Sequence, residues 1–538
     1  MTRYQAKLIN DSNRKWWTLG AMCFALFMIM LDNTVVNVAL PSIQRDLGAS
    51  LSSLEWTVSG YTLSFAVLLA TGGRLGDIFG RRRMFIGGVI VFTLASATAG
   101  FAPDTLSLVV SRIAQGVGAA FMMPGTLSII TNAFPASERG KAIGTWAGVS
   151  ALALAVGPVL GGFLVESVSW RAIFFINLPI GVGAVAASLF AVRESRDKTV
   201  GREVDYAGVG LLTGGLTALV LALVEGNSWG WGSPAIVALI AASIVLLVAF
   251  VFLEQRVKAP MVEFSLFASR NFIGAVSVAF IVTFAMLGMF FFLALYMQNI
   301  LGYSPLAAGI RFLPTTLVIM VVAPLSGRLA DRIGPRWPIV AGLTLVALAL
   351  FQFTRIDTAT TFSDLLPAFV AMGVGIALTM SPMSTAAMNA VSADKAGIAS
   401  GVLSMFRMIG GTFGVAAIGA LFQGSVRSRL DQLLSSSSVP AGDRSNLAHA
   451  LAGGQAKSAL GDLPAAQAKQ AAAAGQDAFI YALSHAMYLS TAVAIGGVVI
   501  AFTLIRGKQG ESTPLPRRPL VSDGQSGPAP GPVEVEAL

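Results

Sequence analysis

Residues that bind metals or form disulfide bonds are scarce in this sequence. Cys23 is the one cysteine among 538 residues, and His449 and His485 are the two histidines. A single cysteine excludes an intrachain disulfide and a cysteine-based zinc site. The phosphate-binding GxxxxGK(S/T) loop, the GxSxG nucleophile elbow and the HExxH helix are absent as well. We therefore expect no metal site, no cofactor and no enzymatic activity.

Charge is the second scarce property. Charged residues make up 12% of the chain and hydrophobic residues 55%, and the mean hydropathy is +0.74. Such a chain cannot cover a soluble core with polar surface, so it must lie in a membrane. Its net charge of +9 does not indicate a nucleic-acid partner, because the sequence contains no soluble module with a basic face.

Fourteen apolar stretches are long enough to cross a bilayer. The first contains Asp32 and lacks a small-residue cleavage site, so it is interpreted as an uncleaved span and not as a signal peptide. We number the stretches spans 1 to 14, and they cover residues 17–40, 56–73, 84–102, 106–130, 142–165, 171–192, 206–224, 234–253, 272–298, 306–326, 338–354, 365–388, 398–422 and 483–505.

The basic residues predict the orientation of the chain. Most of the 36 Lys and Arg residues fall in segments on the same side as both termini. Because loops rich in Lys and Arg stay in the cytoplasm, both ends of the chain are expected to be cytoplasmic. The expected location of the spans is the plasma membrane of a bacterium, that is, its inner membrane. Residues 1–16 are then a cytoplasmic N-terminus and residues 423–482 an outer loop. The Pro- and Gly-rich residues 506–538 are expected to form a disordered cytoplasmic tail.

One string occurs twice. GRLGDIFGRRR at residues 73–83 returns as GRLADRIGPRW at residues 327–337, and each copy joins two long apolar stretches. Parallel repeats of this kind build transporters from two similar halves. The spacing of the copies leaves room for two helices beyond a six-helix half. The sequence therefore predicts an all-α integral membrane protein with six-helix bundles at 17–192 and 272–505 and two inserted helices at 206–253.

The repeated loop resembles the signature loop of the major facilitator superfamily. Four further strings are similar to the fourteen-span drug:proton antiporters of the QacA/EmrB type: LDNTVVNVALP at 31–41, SRIAQGVGAA at 111–120, WRAIFFINLPIG at 170–181 and YMQNILGYSPLAAG at 296–309. The resemblance covers residues 15–505. It implies the major facilitator fold, export driven by the proton gradient, and participation of Asp32 and Arg112 in proton coupling.

The depth of Asp32 supports the same role independently. A carboxylate inside a membrane span is costly and usually marks an ion path. At 1.5 Å per residue, Asp32 lies about 12 Å below the outer end of span 1, and Arg112 lies about 9 Å below the outer end of span 4. The two residues are therefore level, and we expect Asp32 to face a cavity. A static buried ion pair that fixes helix packing is the alternative.

Span 5 carries small residues in a pattern that resembles the motif separating exporters from importers in the superfamily. Small residues let helices approach closely, and a proline allows a bend. The pattern therefore predicts a helix that seals one side of the transporter, with ordinary glycine packing as the alternative. Its residues are Gly144, Gly157, Pro158, Gly161 and Gly162, with Ala153 in place of the expected middle glycine.

The repeated loops predict a conformational latch. Its carboxylates can meet the positive N-terminus of a helix from the other bundle and close the cytoplasmic side. By pseudo-symmetry, Asp77 would meet the start of span 13 at residues 396–398, and Asp331 would meet the start of span 5 near Ala142. The three arginines at 81–83 are also expected to serve membrane topology and lipid headgroups. The latch residues are Gly73, Asp77, Gly80, Arg81, Gly327, Asp331 and Gly334.

Polar, aromatic and methionine side chains could line an adaptable substrate cavity between the bundles. Lipid or helix contact is the alternative for each of them. The candidates are Asn33, Asn37, Tyr61, Phe65, Gln115, Trp146, Phe284, Met286, Met289 and Arg407.

Together these features predict a proton-coupled efflux pump that expels amphipathic drugs, antiseptics or natural products by alternating access. A proton-coupled uptake symporter of the same fold is the alternative, and the span 5 pattern disfavours it. The paired bundles disfavour a channel or a membrane-embedded enzyme. The expected partners are the small-molecule substrate, protons and membrane lipid, and the expected oligomeric state is a monomer.

Overall fold

The computed structural model describes residues 13–196, 205–257, 260, 262–391, 395–435 and 464–506. Within these ranges the regular elements are helices. Thirteen of them are long and apolar enough to cross a membrane, and the helix of span 2, bent by 49° between Leu69 and Thr71, is the fourteenth. The predicted all-α membrane fold with fourteen spans is therefore confirmed.

The helices follow the predicted order but are longer than the apolar stretches. Spans 1 to 5 are Arg14–Leu47, Leu51–Phe79, Arg81–Gly100, Thr105–Ala133 and Ala136–Ser167, and span 6 consists of Ala172–Phe175 and Asn177–Ala191. Spans 7 and 8 are Tyr206–Trp229 and Pro234–Glu254. After a 3₁₀ turn at Phe264–Ala268, span 9 is Arg270–Asn299, and span 10 consists of Pro305–Arg311 and Leu313–Ile333. Spans 11 to 14 are Arg336–Phe353, Phe362–Met388, Ala396–Ser435 and Ala465–Leu504.

Glycines separate the helices within each repeated loop. Gly80 follows span 2 with a φ of 115°, and Gly334 follows span 10 with a φ of 84°. A residue with a Cβ atom rarely adopts these angles, so glycine allows the chain to turn directly into the next helix. The end of the bundles that carries Gly80 and Gly334 is called the loop-motif face below, and the other end is called the opposite face.

Helices extend into the predicted outer loop at 423–482 from both of its ends. Span 13 continues as a helix to Ser435, and span 14 begins at Ala465, well before the apolar stretch. Arg429 and Asp477 join the two extensions through an ion pair of 2.8 Å. Alanine, which is abundant after Ala465, has the highest helix propensity and extends helices without apolar periodicity. Residues 436–463 lie outside the described residues, as do residues 1–12 of the predicted N-terminus at 1–16 and residues 507–538 of the predicted tail at 506–538.

The hydrophobic core of the described residues joins the two bundles at one face. One continuous core unites the opposite-face half of span 1, from Leu31 to Ile43, with buried residues of spans 9 to 14. A second core contains the loop-motif half of span 1, from Leu19 to Ile29, and belongs to the N-terminal bundle. Met408 of span 13 is the residue from the other bundle that packs against it. Among the described residues, the bundles thus adhere at the opposite face and separate towards the loop-motif face.

The inserted helices lie along the seam between the bundles. Span 7 packs against both span 2 and span 13, whereas span 8 packs mainly against span 7. In its most apolar window span 8 is only 17% buried, so its remaining surface is available to lipid. Span 7 therefore belongs structurally to the contact between the bundles.

Candidate functional site

Asp32 and Arg112, which the sequence places at the same depth, form a direct ion pair inside the N-terminal bundle. Arg112 Nη1 lies 2.5 Å from Asp32 Oδ2. The side chains are 0% and 1% exposed, so neither reaches water. At a site without water, an ionised carboxylate is stable only when it is paired with a cation and accepts further hydrogen bonds.

Two amide side chains complete the coordination of Asp32. Gln115 Nε2 donates to Asp32 Oδ1 over 3.2 Å, and Asn177 Nδ2 donates to the same oxygen over 3.1 Å. Asn177 also donates to Ser96 Oγ at 3.0 Å. Spans 1, 4 and 6 therefore meet at one carboxylate, and span 3 is connected to it through Asn177. A change in the charge of Asp32 acts on these four helices.

Arg112 is held on its other sides as well. Its Nε donates to the carbonyl of Thr57 in span 2 at 3.1 Å, and its Nη1 donates to Gln115 Oε1 at 2.9 Å. The guanidinium also lies 4.3 Å from the centre of the Tyr61 ring, within range of a cation–π interaction. The guanidinium thus links span 4 to span 2, the span that packs against the other bundle.

Asn177 was missed by the sequence-based reasoning, although a signal existed. It lies in the string WRAIFFINLPIG and is the one amide side chain in the apolar stretch of span 6. Its side chain is fully buried. Two other residues of the same string, Trp170 and Arg171, donate hydrogen bonds to Asp46 Oδ2 on the opposite face. The distances are 2.8 Å from Trp170 Nε1 and 2.6 Å from Arg171 Nη1.

The structure corrects the expectation that Asp32 faces a cavity, because the carboxylate is enclosed by its own bundle. Six predicted cavity residues are also buried in this structure: Asn37, Tyr61, Phe65, Gln115, Phe284 and Met289. Four candidates keep partial exposure: Asn33, Trp146, Met286 and Arg407. Arg407 forms no ion pair with any described residue, and its Nε has no hydrogen-bond partner.

The glycines of span 5 pack against two different helices. An added Cβ at Gly157 would lie 1.9 Å from Thr34 Oγ1, and one at Gly161 would lie 3.0 Å from Val35 Cα, both on span 1. At Gly162 a Cβ would lie 2.6 Å from the carbonyl oxygen of Pro305, at the start of span 10. Gly162 therefore permits contact between the bundles. Gly144 lies outside the residues whose surroundings the structure describes.

Two hydrogen bonds also join the bundles at the opposite face; together with the contact at Gly162 they are called the seal below. Gln298 Nε2 of span 9 donates to the carbonyl of Val38 in span 1 at 2.8 Å. The backbone N–H of Leu306 donates to Glu166 Oε2 of span 5 at 3.1 Å. Gln298 and Leu306 both belong to the string YMQNILGYSPLAAG. That string thus supplies contacts between the bundles.

The first repeated loop is docked onto its own bundle. Asp77 pairs with Arg81 at 2.9 Å, and Arg82 donates to the carbonyls of Ser188 and Leu189 at the end of span 6. Gly80 leaves room for the Glu194 carboxylate, which an added Cβ would approach to 2.6 Å. Arg81 and Arg82 therefore bind protein groups in this structure, in addition to the topology and headgroup roles expected of them.

The latch pairings across the bundles concern the arrangement in which the loop-motif face is closed. In this structure Asp331 is exposed, and Asp77 is bonded within its own loop. Gly73 and Gly327 pack against Pro124 and Ser381 of their own bundles. The pairings of Asp77 with span 13 and of Asp331 with span 5 stay predictions for the alternative state.

The sequence and the fold are similar to those of known proteins. The family model of the Major Facilitator Superfamily matches residues 22–415. The chain is 35% identical to the tetracenomycin C resistance and export protein of Streptomyces glaucescens, with 77% of each chain covered. It is 40% identical to the puromycin resistance protein pur8 of Streptomyces alboniger, over 78% of this chain and 84% of that protein.

A third relative is the multidrug resistance protein Stp of Mycobacterium tuberculosis, which is 38% identical over 77% of each chain. Among solved structures, a bacterial homologue of the human lysosomal transporter Spinster, in an inward-facing and unoccupied conformation, superposes with a TM-score of 0.61. That comparison covers 91% of this chain and 98% of the other at 16% identity, and it concerns the fold alone.

Proposed function

The chain belongs to the major facilitator superfamily, and from that premise we propose that it exports amphipathic drugs, antiseptics or natural products in exchange for protons. The observation that carries the proposal is the Asp32–Arg112 pair, an ionisable pair enclosed in the membrane interior and bonded to four helices. Three relatives whose names refer to drug or antibiotic resistance, one of them also to export, support small organic molecules as the substrate class.

Protonation of Asp32 would convert this pair into a driving element. A neutral carboxyl no longer balances the charge of Arg112, and a buried charge without its partner costs about 3–5 kcal/mol. One proton moving down a proton-motive force of roughly 150 mV releases about 3.5 kcal/mol. The free energy released by one proton is therefore similar to the cost of leaving Arg112 unpaired. A single proton is able to change the packing of spans 1, 4 and 6.

The distribution of basic residues supports a cytoplasmic position for the loop-motif face. Arg74 and the arginines at 81–83 lie at that face in the N-terminal half, and Arg328, Arg332 and Arg336 lie there in the C-terminal half. Because the bundles adhere at the opposite face, the structure corresponds to the state that takes up substrate from the cytoplasm. The proton gradient is the only energy source required, and a monomer contains both bundles.

The partly exposed candidates then describe the substrate cavity. Asn33 and Trp146 come from the N-terminal bundle, and Met286 and Arg407 come from the C-terminal bundle. An arginine without an acidic partner attracts acidic or strongly polar groups of a substrate. Met286 and Trp146 offer apolar surface that adapts to different shapes.

Transport in inverted membrane vesicles tests the proposal. With an inside-acid gradient, the exporter accumulates a substrate such as tetracenomycin C or puromycin inside the vesicle, and each substrate movement releases protons from the lumen. Collapse of the gradient by an uncoupler must stop the accumulation. Accumulation that survives the uncoupler, or substrate that leaves the vesicle when the gradient is imposed, contradicts proton-driven export.

The latch leads to a prediction at the loop-motif face. Asp77→Asn removes an attraction between a carboxylate and a helix N-terminus, which is worth about 0.3–1 kcal/mol. We expect a roughly two- to fivefold shift of the population towards the state with an open loop-motif face. Paired spin labels at positions 83 and 333 measure this population. Asp77→Glu is the control, because it keeps a carboxylate at this position; an equal shift in both variants contradicts the latch.

A further inference from the structure

A second buried carboxylate, Glu55, lies in the seam between the bundles. The helix of span 2 begins at Leu51, so Glu55 lies inside the helix and not in the preceding loop where the apolar stretch would place it. Its side chain is 0% exposed. Oε1 accepts a hydrogen bond of 3.1 Å from Gln423 Nε2 of span 13, and Oε2 is buried without a hydrogen-bond partner. Glu55 takes part in no ion pair with a described residue.

The carboxyl group is in direct contact with the other bundle. A Cβ added to Gly419 of span 13 would lie 2.2 Å from Glu55 Oε1, so only glycine leaves space for the carboxyl here. Further along the same seam, Thr62 and Thr412 share a hydrogen bond of 2.7 Å. When the bundles part at the opposite face, the seam between spans 2 and 13 opens. Glu55 then loses the hydrogen bond from Gln423, and its carboxyl group becomes exposed to water.

Span 7 forms the third wall of this site. Glu225 of this span is half-buried and lies two residues before Asn227. Asn227 Nδ2 donates to the carbonyl of Ala420 at 2.6 Å and ties span 7 to span 13. This places an inserted helix beside an ionisable group of the seam.

Water can approach the seam from the opposite face. A cavity of about 640 Å³ extends to Gly424, the neighbour of Gln423, and is lined by residues of spans 7 and 13: Asn227, Gly424, Arg427, Ser428, Asp431, Gln432 and Ser435. The charged residues that line this cavity are Arg427 and Asp431. On the other side of span 2, Arg112 bonds to the carbonyl of Thr57 and is already paired with Asp32.

These surroundings decide which form of Glu55 fits the closed seam. An ionised carboxylate that is removed from water and forms no ion pair with a described residue is strongly disfavoured. A neutral carboxyl leaves one polar atom unpaired, which costs far less. We propose that Glu55 is a second proton-binding site, which must be loaded from the water at the opposite face before the bundles can close there. The proposal rests on the alternating access of the proposed function.

The proton exchange is simple. A proton from water at the opposite face binds Oε2, while Oε1 receives the hydrogen bond of Gln423 as the seam closes. When the seam opens, the proton returns to water on the same side, because Glu55 is enclosed by core on the side of the loop-motif face. Glu55 therefore permits closure without carrying its proton across, whereas Asp32 is the group proposed to exchange protons between the two sides.

The expected result is a closed seam that depends on pH. The closed state binds one proton more than the open state, so a rise in pH must favour opening, by up to about tenfold in the population ratio per pH unit. Spin labels introduced by Leu106→Cys and Thr358→Cys, both on the exposed surface of the opposite face, measure this ratio in a Cys23→Ala background. No substrate or gradient is present, so the result is independent of whether transport is proton-coupled.

Glu55→Gln keeps the shape of the side chain and must hold the seam closed between about pH 5 and about pH 9. Glu55→Asp, which retains a carboxylate, must keep a pH response even where packing is weakened. Glu225→Gln retains the response as well, because the Glu55 carboxyl is unchanged.

Asp104→Asn is the matched control on the same face. The backbone N–H of Ser107 lowers the pKa of the Asp104 carboxyl, so this exposed group stays ionised over that range and cannot produce the response. A wild-type protein without a pH response, a Glu55→Gln variant that keeps it, or an Asp32→Asn variant that loses it each overturns the assignment to Glu55.

Discussion

Asp32→Asn is expected to abolish accumulation of substrate against a gradient in inverted vesicles while substrate still moves down its own gradient. An asparagine fits the same space and can accept from Arg112, but it cannot exchange a proton. The four helices connected to this position therefore lose the event that changes their packing. Uphill transport should fall to the level of vesicles without the protein, and proton release on addition of substrate should disappear.

The structure also shows why this variant needs a companion. Without the Asp32 charge, Arg112 is a buried cation with no counterion, which can cost about 3–5 kcal/mol of stability. Asp32→Asn combined with Arg112→Gln removes both charges and should recover much of this stability without recovering uphill transport. Thermal unfolding in detergent distinguishes the two effects. Proton-driven export by either variant at the wild-type rate rules out Asp32 as the coupling group.

Gly162→Ala is expected to shift the protein away from the state described here. The new Cβ would lie 2.6 Å from the Pro305 carbonyl oxygen and 2.7 Å from Leu306 Cα, both backbone atoms of the other bundle. Overpacking of this kind costs about 1–3 kcal/mol, and the clash exists only where the bundles touch. The population closed at the opposite face should therefore fall roughly five- to hundredfold, and export should fall with it. The labels at positions 106 and 358 report the shift.

Gly148→Ala is the matched control on the same helix. No atom lies within 4 Å of a Cβ added at Gly148, so this variant should behave as the wild type. Equal populations in the Gly162→Ala and wild-type proteins would show that the seal between spans 5 and 10 does not set the conformational balance. Equal losses in both alanine variants would point to a general effect on span 5.

Under these proposals the seal and the two carboxylates have different roles in one transport cycle. Gly162, Gln298 and Glu166 make close contact between the bundles possible at the opposite face. Glu55 makes that contact dependent on a proton from the same face. Asp32 lies inside one bundle and changes the packing within it. A transporter arranged in this way closes towards the outside only after protons have been bound there.

The sequence by itself determined the class of the protein and most of its organisation. Hydropathy identified fourteen spans because each must satisfy the same bilayer thickness, and the repeated loop revealed the two halves because both copies perform the same turn. The depth of Asp32 and Arg112 followed from the constant rise of a helix, which is why their pairing could be anticipated. Hydropathy did not locate the ends of the helices, since Ala-rich extensions such as the start of span 14 form helix without an apolar period.

Only the tertiary structure decided which groups meet. Asn177 reaches Asp32 because span 6 packs beside spans 1 and 4, and Glu55 is buried because span 13 covers the first turns of span 2. Gly162 became part of a seal because span 10 begins against it. These relations join residues far apart in the chain, and no local period or composition encodes them. They arise from the packing of whole helices, where the space left by one side chain or glycine is filled by another helix.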